Sequence, residues 1–173
     1  MVPWQHPFYT AFTGIGLAVA RMNKNMFVKI LAVPTGYLCA VVAHSIHNSF
    51  GALIGGIEGF ALSTLFDWTS WFVMLLFIFF MIGRERAVVQ KQLADEVSAG
   101  VISPAQYRRA VSPFTMSTAF LTGGRAAVRF YQACGELAHK KEQLQKLGEE
   151  NGTSVIIQAL RNQLVTLGPL VKA

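Results

Sequence analysis

Charge is the first thing this sequence lacks. Between Ile30 and Ile57 there is no Asp, Glu, Lys or Arg, a run of 28 uncharged residues. Charged residues make up 14% of the whole chain, against roughly 25% in a soluble domain. That excludes an ordinary soluble domain for the first half. A bilayer core takes about 20 apolar residues per helix, so the run reads as a membrane span. Cysteine is almost as scarce. Cys39 and Cys134 stand far apart with no CxxC pattern, which excludes a disulfide framework or a zinc module and leaves two reduced packing residues. No basic n-region and cleavage site open the chain, so no signal peptide is read. Met1 to Pro7 reads as the end of a loop and not as the start of a protein.

The charge that is present is unevenly placed. Residues 1–83 hold Arg21, Lys24 and Lys29 against Glu58 and Asp67, and the other twelve basic and seven acidic side chains follow Gly83. The composition therefore predicts a membrane domain over residues 1–86 and a polar tail beyond it. The net charge of +6 is spread among acids and is not interleaved with aromatics. Nucleic acid is accordingly excluded as a partner, and contact with the lipids of an anionic leaflet is favoured.

Three spans are expected. The first runs from Pro7 to Ala20, with Thr10, Gly14 and Ala18 as a ladder of small residues for close helix contact. The second is the uncharged run, kinked near Pro34 and Gly36. The third runs from Trp68 to Ile82, with tryptophans at one end and Arg84-Glu85-Arg86 at the other as interfacial anchors. Residues 58–67 are expected as an external connection. The basic loops at 21–29 and from Arg84 onward share a side, which the positive-inside rule makes the cytoplasm. The tail is read as a helical hairpin over 87–112, a linker over 113–124 and a helical segment over 125–173. Its Lys140, Lys141, Glu142 and Lys146 are read as a solvated face. The fold class is thus all-α: polytopic membrane helices followed by a helical cytoplasmic tail, in a multi-pass protein of the cell membrane.

Inside the second span stands Ala43-His44-Ser45-Ile46-His47-Asn48-Ser49. Polar groups at such depth are costly unless they serve a purpose. On a helix His44 and Asn48 share a face. His6 lies 15 residues before Arg21 and His44 lies 15 residues after Lys29, so antiparallel helices bring both to about 22 Å above one basic level. Two imidazoles at matched depth suit a divalent metal such as zinc, although a catalytic zinc generally has a third protein ligand and a base. His44-Ser45-Ile46-His47 is not HExxH, and no Ser-His-Asp set stands out. Glu58 is the nearest acid in sequence and is read as interfacial.

The segments His6-Pro7-Phe8-Tyr9-Thr10-Ala11-Phe12-Thr13-Gly14-Ile15-Gly16-Leu17-Ala18 and His44-Ser45-Ile46-His47-Asn48-Ser49 resemble the last two motif-bearing helices of PrsW-family intramembrane metalloproteases. The third span and the tail through Tyr107 resemble the actinobacterial, hence bacterial, members. The family is related to the CAAX-processing membrane proteases and cuts membrane-associated proteins. The resemblance implies that His6 and His44 belong to a catalytic, metal-holding centre supported by Asn48, and gives His47 no role. The family's paired-glutamate EExxK motif and its FxxxE motif have no match in these 173 residues. The chain is therefore expected to be the C-terminal half of such a protease, acting on membrane-protein substrates and completed by a missing N-terminal half. Alone it is expected to be proteolytically silent, since residues 6–57 hold no acid. Two other readings stand beside this one: a non-catalytic adaptor recruiting a partner through its tail, and a metal- or haem-handling membrane protein using His6, His44 and His47.

Overall fold

The computed structural model describes residues 6–171. Among these there are helices and no strand, in two compact units, Met1–Phe79 and Phe80–Ala173.

The first unit contains α1 (His6–Arg21), α2 (Met26–Leu53) and the start of α3 (Gly56–Ser98). Asn25 caps α2, its side-chain oxygen accepting from the Phe27 N–H at 2.9 Å. That satisfies one of the orphan donors of the first turn. Gly55 and Gly56 turn the chain into α3 with φ of 65° and 56°, a conformation that glycine alone adopts cheaply. Two such residues in succession make the turn short. The stretch 58–67, expected as a connection, is consequently helical, and Glu58 lies in the first turn of α3, where a negative charge suits the helix dipole.

α1 and α2 pack closely, at a place other than the one expected. A Cβ on Gly16 would collide with the Ala32 carbonyl oxygen, and one on Gly36 would lie 2.5 Å from that of Phe12. A Cβ on Gly14 would meet nothing within 4 Å. The helices therefore meet backbone to backbone at Gly16 and Gly36, not along the Thr10-Gly14-Ala18 ladder. α2 continues as helix through Pro34, so Gly36 serves close approach. Gly36→Leu is expected to cost about 1–3 kcal/mol by overpacking, read as a lower midpoint of unfolding in mixed micelles. Gly14→Leu should leave that midpoint unchanged, and equal losses would show that the contact is wrongly placed.

Two helices, Met26–Phe50 within α2 and α3, are long and apolar enough to cross a membrane, and only 6% of the most apolar 18 residues of each are buried. A core helix of a soluble protein would bury that surface. Here Leu53, Phe60, Trp68, Phe79 and Phe80 are exposed, as lipid solvent permits. The hydroxyls follow the same logic. Ser49 donates to the Ser45 carbonyl, Thr64 to Phe60, Thr69 to Leu65 and Ser70 to Phe66, all between 2.7 and 2.9 Å. Each is satisfied within its own helix, as an apolar medium demands. α1, at 16 residues, is shorter than the ~20 of a full span.

The second unit packs the end of α3 with α4 (Pro104–Ala110), α5 (Thr115–Leu147), α6 (Thr153–Leu167) and a 3₁₀ turn, Gly168–Leu170. Leu93, Phe130, Leu137 and Leu164 are fully buried at its centre. Ser103 and Gln106 form a capping box at the start of α4. Gln106 Nε2 also donates to the Gly168 carbonyl at 2.9 Å, tying α4 to the end of the chain. The expected linker over 113–124 is largely helix. Its backbone departs from helix within α5 only at Gly123 and Gly124, the latter with φ of 59°.

One charged cluster is buried in this unit. Glu96 is 1% exposed. It accepts from Arg161 at 2.8, 3.0 and 3.2 Å, and from Lys141 at 2.7 Å. Lys141 Nζ also donates to the Gln92 carbonyl at 2.6 Å and to Asp95 at 2.5 Å. Lys141 thus belongs to the core and not to a solvated face, because α3 supplies the carboxylates and the carbonyl that hold it. Cys134 is buried too, and burial pushes its thiol up to about 12, which makes it inert at neutral pH.

Candidate active site

Asn23 to Asn25 join α1 to α2 in a tight connection, so the first turns of α1 lie beside the last turns of α2. Tyr9 lies flat on His44, with ring centroids 5.0 Å apart and planes 7° from parallel. The ring of His47 is 6.4 Å from the same tyrosine. α3 then returns past α2 and brings Asp67 to His47, with Oδ1 2.8 Å from Nδ1. Both atoms are buried, and the approach is a close polar contact out of line for a hydrogen bond. Phe66 packs 6.3 Å from the His47 ring and 5.8 Å from that of Phe50. An acid, two imidazoles and a phenol are thereby gathered among aromatic rings.

This arrangement has definite chemical capacities. Even out of line, the negative oxygen 2.8 Å from Nδ1 attracts a hydrogen and repels a lone pair on that nitrogen, so Nε2 serves as the basic nitrogen of His47. The Tyr9 hydroxyl is buried and finds no hydrogen-bond partner among the described residues. Such a group is costly to maintain and is suited to donating to an incoming oxygen. Beside the cluster runs an open apolar groove of about 540 Å³, lined by Phe12, Leu38, Val42, Ile46, Phe66 and Val73 among others. Phe66 borders both the groove and His47.

The residues singled out from sequence are placed unequally. His44 is half-buried and sits within the cluster. Asn48 is exposed and lies outside it. His6 opens α1, but its side chain, and with it the predicted pairing with His44, lies outside the described residues. Among the described residues no three His, Cys, Asp or Glu side chains converge to hold a metal ion. Tyr9 and Asp67 were missed. A signal for Asp67 existed: His47 precedes the Gly55-Gly56 turn by eight residues and Asp67 follows it by eleven, so an antiparallel return places them near one level. Taking residues 58–67 as a loop hid it.

Residues 1–83 match the family model described as PrsW family intramembrane metalloprotease. No curated protein matches, and no solved structure matches. The matched segment takes in α1, α2, the apolar part of α3 and every residue of the His44–Asp67 cluster. By this match, the first 83 residues are similar to PrsW family intramembrane metalloproteases.

Proposed function

We propose that this chain serves to hydrolyse peptide bonds of membrane-associated proteins, with the His44–Asp67 cluster as its reacting centre. The observation that carries the reading is the His47–Asp67 contact at 2.8 Å, a base and its orienting acid inside the segment that matches a protease family. In this reading the apolar groove takes one helix of the substrate. His47 Nε2 accepts a proton from water as its oxygen attacks the carbonyl carbon, Asp67 offsets the charge that develops on the ring, and the ring returns that proton to the amide nitrogen as the C–N bond breaks. The Tyr9 hydroxyl donates to the oxygen that becomes negative, and His44 holds the Tyr9 ring by stacking.

The family description implies a metal. The described residues do not complete a site for one, and no step is routed through it. His6 and His44 remain the proposed ligands and zinc the proposed ion, with Asn48 in support. Metal analysis of purified protein against His44→Ala checks this: equal zinc contents would remove the assignment.

The topology belongs to the same proposal. Three spans with Arg21, Lys24, Lys29, Arg84 and Arg86 on the cytoplasmic side satisfy the positive-inside rule, and a reporter fused to the C-terminus should then read as cytoplasmic. A reporter exported from the cell would overturn this orientation.

The expectation that the chain alone is silent rested on the lack of an acid near the histidines, and Asp67 removes that premise. The deciding experiment follows a tagged single-span membrane protein in cells expressing the 173 residues. It is run with and without a second chain that bears the EExxK and FxxxE motifs. A cleavage product that disappears with His44→Ala is expected in at least one arm. No product in either arm, or a product indifferent to His44, would overturn the protease reading and leave the adaptor.

A further inference from the structure

The second unit carries a surface that its own packing does not explain. In the first turns of α5, Thr115 and Ala119 face the core, while Phe114, Phe120 and Leu121 are 70%, 62% and 83% exposed. Met116 is exposed beside them. A water-soluble unit gains nothing from four large apolar side chains on one short outward stretch. The non-helical pair Gly123-Gly124 then separates this segment from the regular helix that follows.

Its charge is equally one-sided. Between Glu96 and Glu136 there is no Asp or Glu, and there are four arginines, Arg108, Arg109, Arg125 and Arg129. The basic excess of the tail, evenly spread when taken whole, is local here. Arg109 bonds Thr122 and lies over the Tyr131 ring at 5.4 Å. Arg108, Arg125 and Arg129 are exposed. Apolar side chains projecting from a helix flanked by positive charge match a lipid interface, where acyl chains take the former and anionic headgroups the latter. The same chain supplies, in α2 and α3, helices able to cross a membrane, so a bilayer surface is always near by covalent attachment.

We infer that the α5 segment 114–122, with Arg108, Arg125 and Arg129, is a docking surface for the anionic face of a bilayer, seating the second unit on the membrane.

The test uses the full chain with Cys39→Ala, reconstituted in vesicles of phosphatidylcholine with or without about 30% phosphatidylglycerol, an anionic lipid. A nitroxide is attached at Leu121→Cys or, as a solvent control, at Glu136→Cys; Cys134 is buried and does not compete. The label at 121 is expected to collide readily with oxygen and poorly with a water-soluble nickel chelate in anionic vesicles. In neutral vesicles, or with Arg108, Arg125 and Arg129 all changed to Gln, it should be at least threefold more accessible to nickel. Equal nickel access at 121 and 136 in anionic vesicles would overturn the inference. Low access to both reagents would also overturn it, since protein and not lipid would then cover the segment. Spin–spin broadening that grows with protein density would identify that cover as a second copy.

Discussion

Glu96→Ala is expected to destabilise the second unit by about 3–5 kcal/mol, the usual result of removing one partner from a buried charge cluster. The loss comes less from the missing bonds than from what is left behind. Lys141 stays beneath α3 with its main counter-charge gone, and Arg161 loses both oxygens it holds at 2.8 and 3.0 Å. Hydrogen exchange of the core amides 127–138 in the full chain measures the opening directly, as a rate rise of about 10²- to 10³-fold. Asp95→Ala serves as the control. Asp95 touches the same lysine but is 65% exposed, so its loss should cost less than about 1 kcal/mol. Acid should act as the mutation does. Burial raises the Glu96 carboxyl, but its bonds from Arg161 and Lys141 outweigh this and hold it below the ordinary carboxylate range. A carboxyl lowered by folding adds stability above its unfolded value of about 4.3, and that contribution is lost as pH falls through the folded value. Wild type should therefore open faster below about pH 4, and Glu96→Gln should show a flatter response. Equal exchange in the alanine variant and wild type would mean that the cluster holds nothing together.

Asp67→Asn is expected to lower cleavage in the membrane assay by about 10²- to 10⁴-fold, the range typical of losing acid–base assistance. The substituted amide keeps the size of the side chain and loses the charge that offsets a protonated His47 ring. His47→Ala should cost a similar factor, and the double variant little more, because the two residues act as one unit. That differs from the reading by resemblance, which gave His47 no role. A purely structural contact would give an altered amount of protein in the membrane with an unchanged rate per molecule. A catalytic one leaves the amount unchanged and lowers the rate per molecule. Asp67→Glu, which keeps the charge, should restore part of the rate. Full activity of Asp67→Asn would eliminate the pair from the chemistry.

Much of the architecture was legible in the residues because the physics behind it is local. The uncharged run from Ile30 to Ile57 had to become an apolar helix, since lipid offers no partner to an open backbone. Gly100 and Gly148 mark ends of α3 and α5 through positive φ of 71° and 83°, and Ser103-Pro104 starts α4. The histidines stood out for the same reason: a polar side chain inside such a run is visible without neighbours. The sequence also carried the family resemblance, in the segment 1–83.

What tertiary structure decided was which side chains meet. The small-residue ladder pointed to Gly14, and only the crossing of α1 with α2 selects Gly16 and Gly36. Lys141 looked like its solvated neighbours until α3 brought Glu96, Asp95 and Gln92 over it. Asp67, read as part of a loop, became the partner of His47 because two glycines close the turn so tightly that α3 starts at once and runs back along α2. Periodicity shows the face on which a residue lies. Contact between helices depends on the length of the turn and the angle of the crossing, which are set by packing across the whole unit.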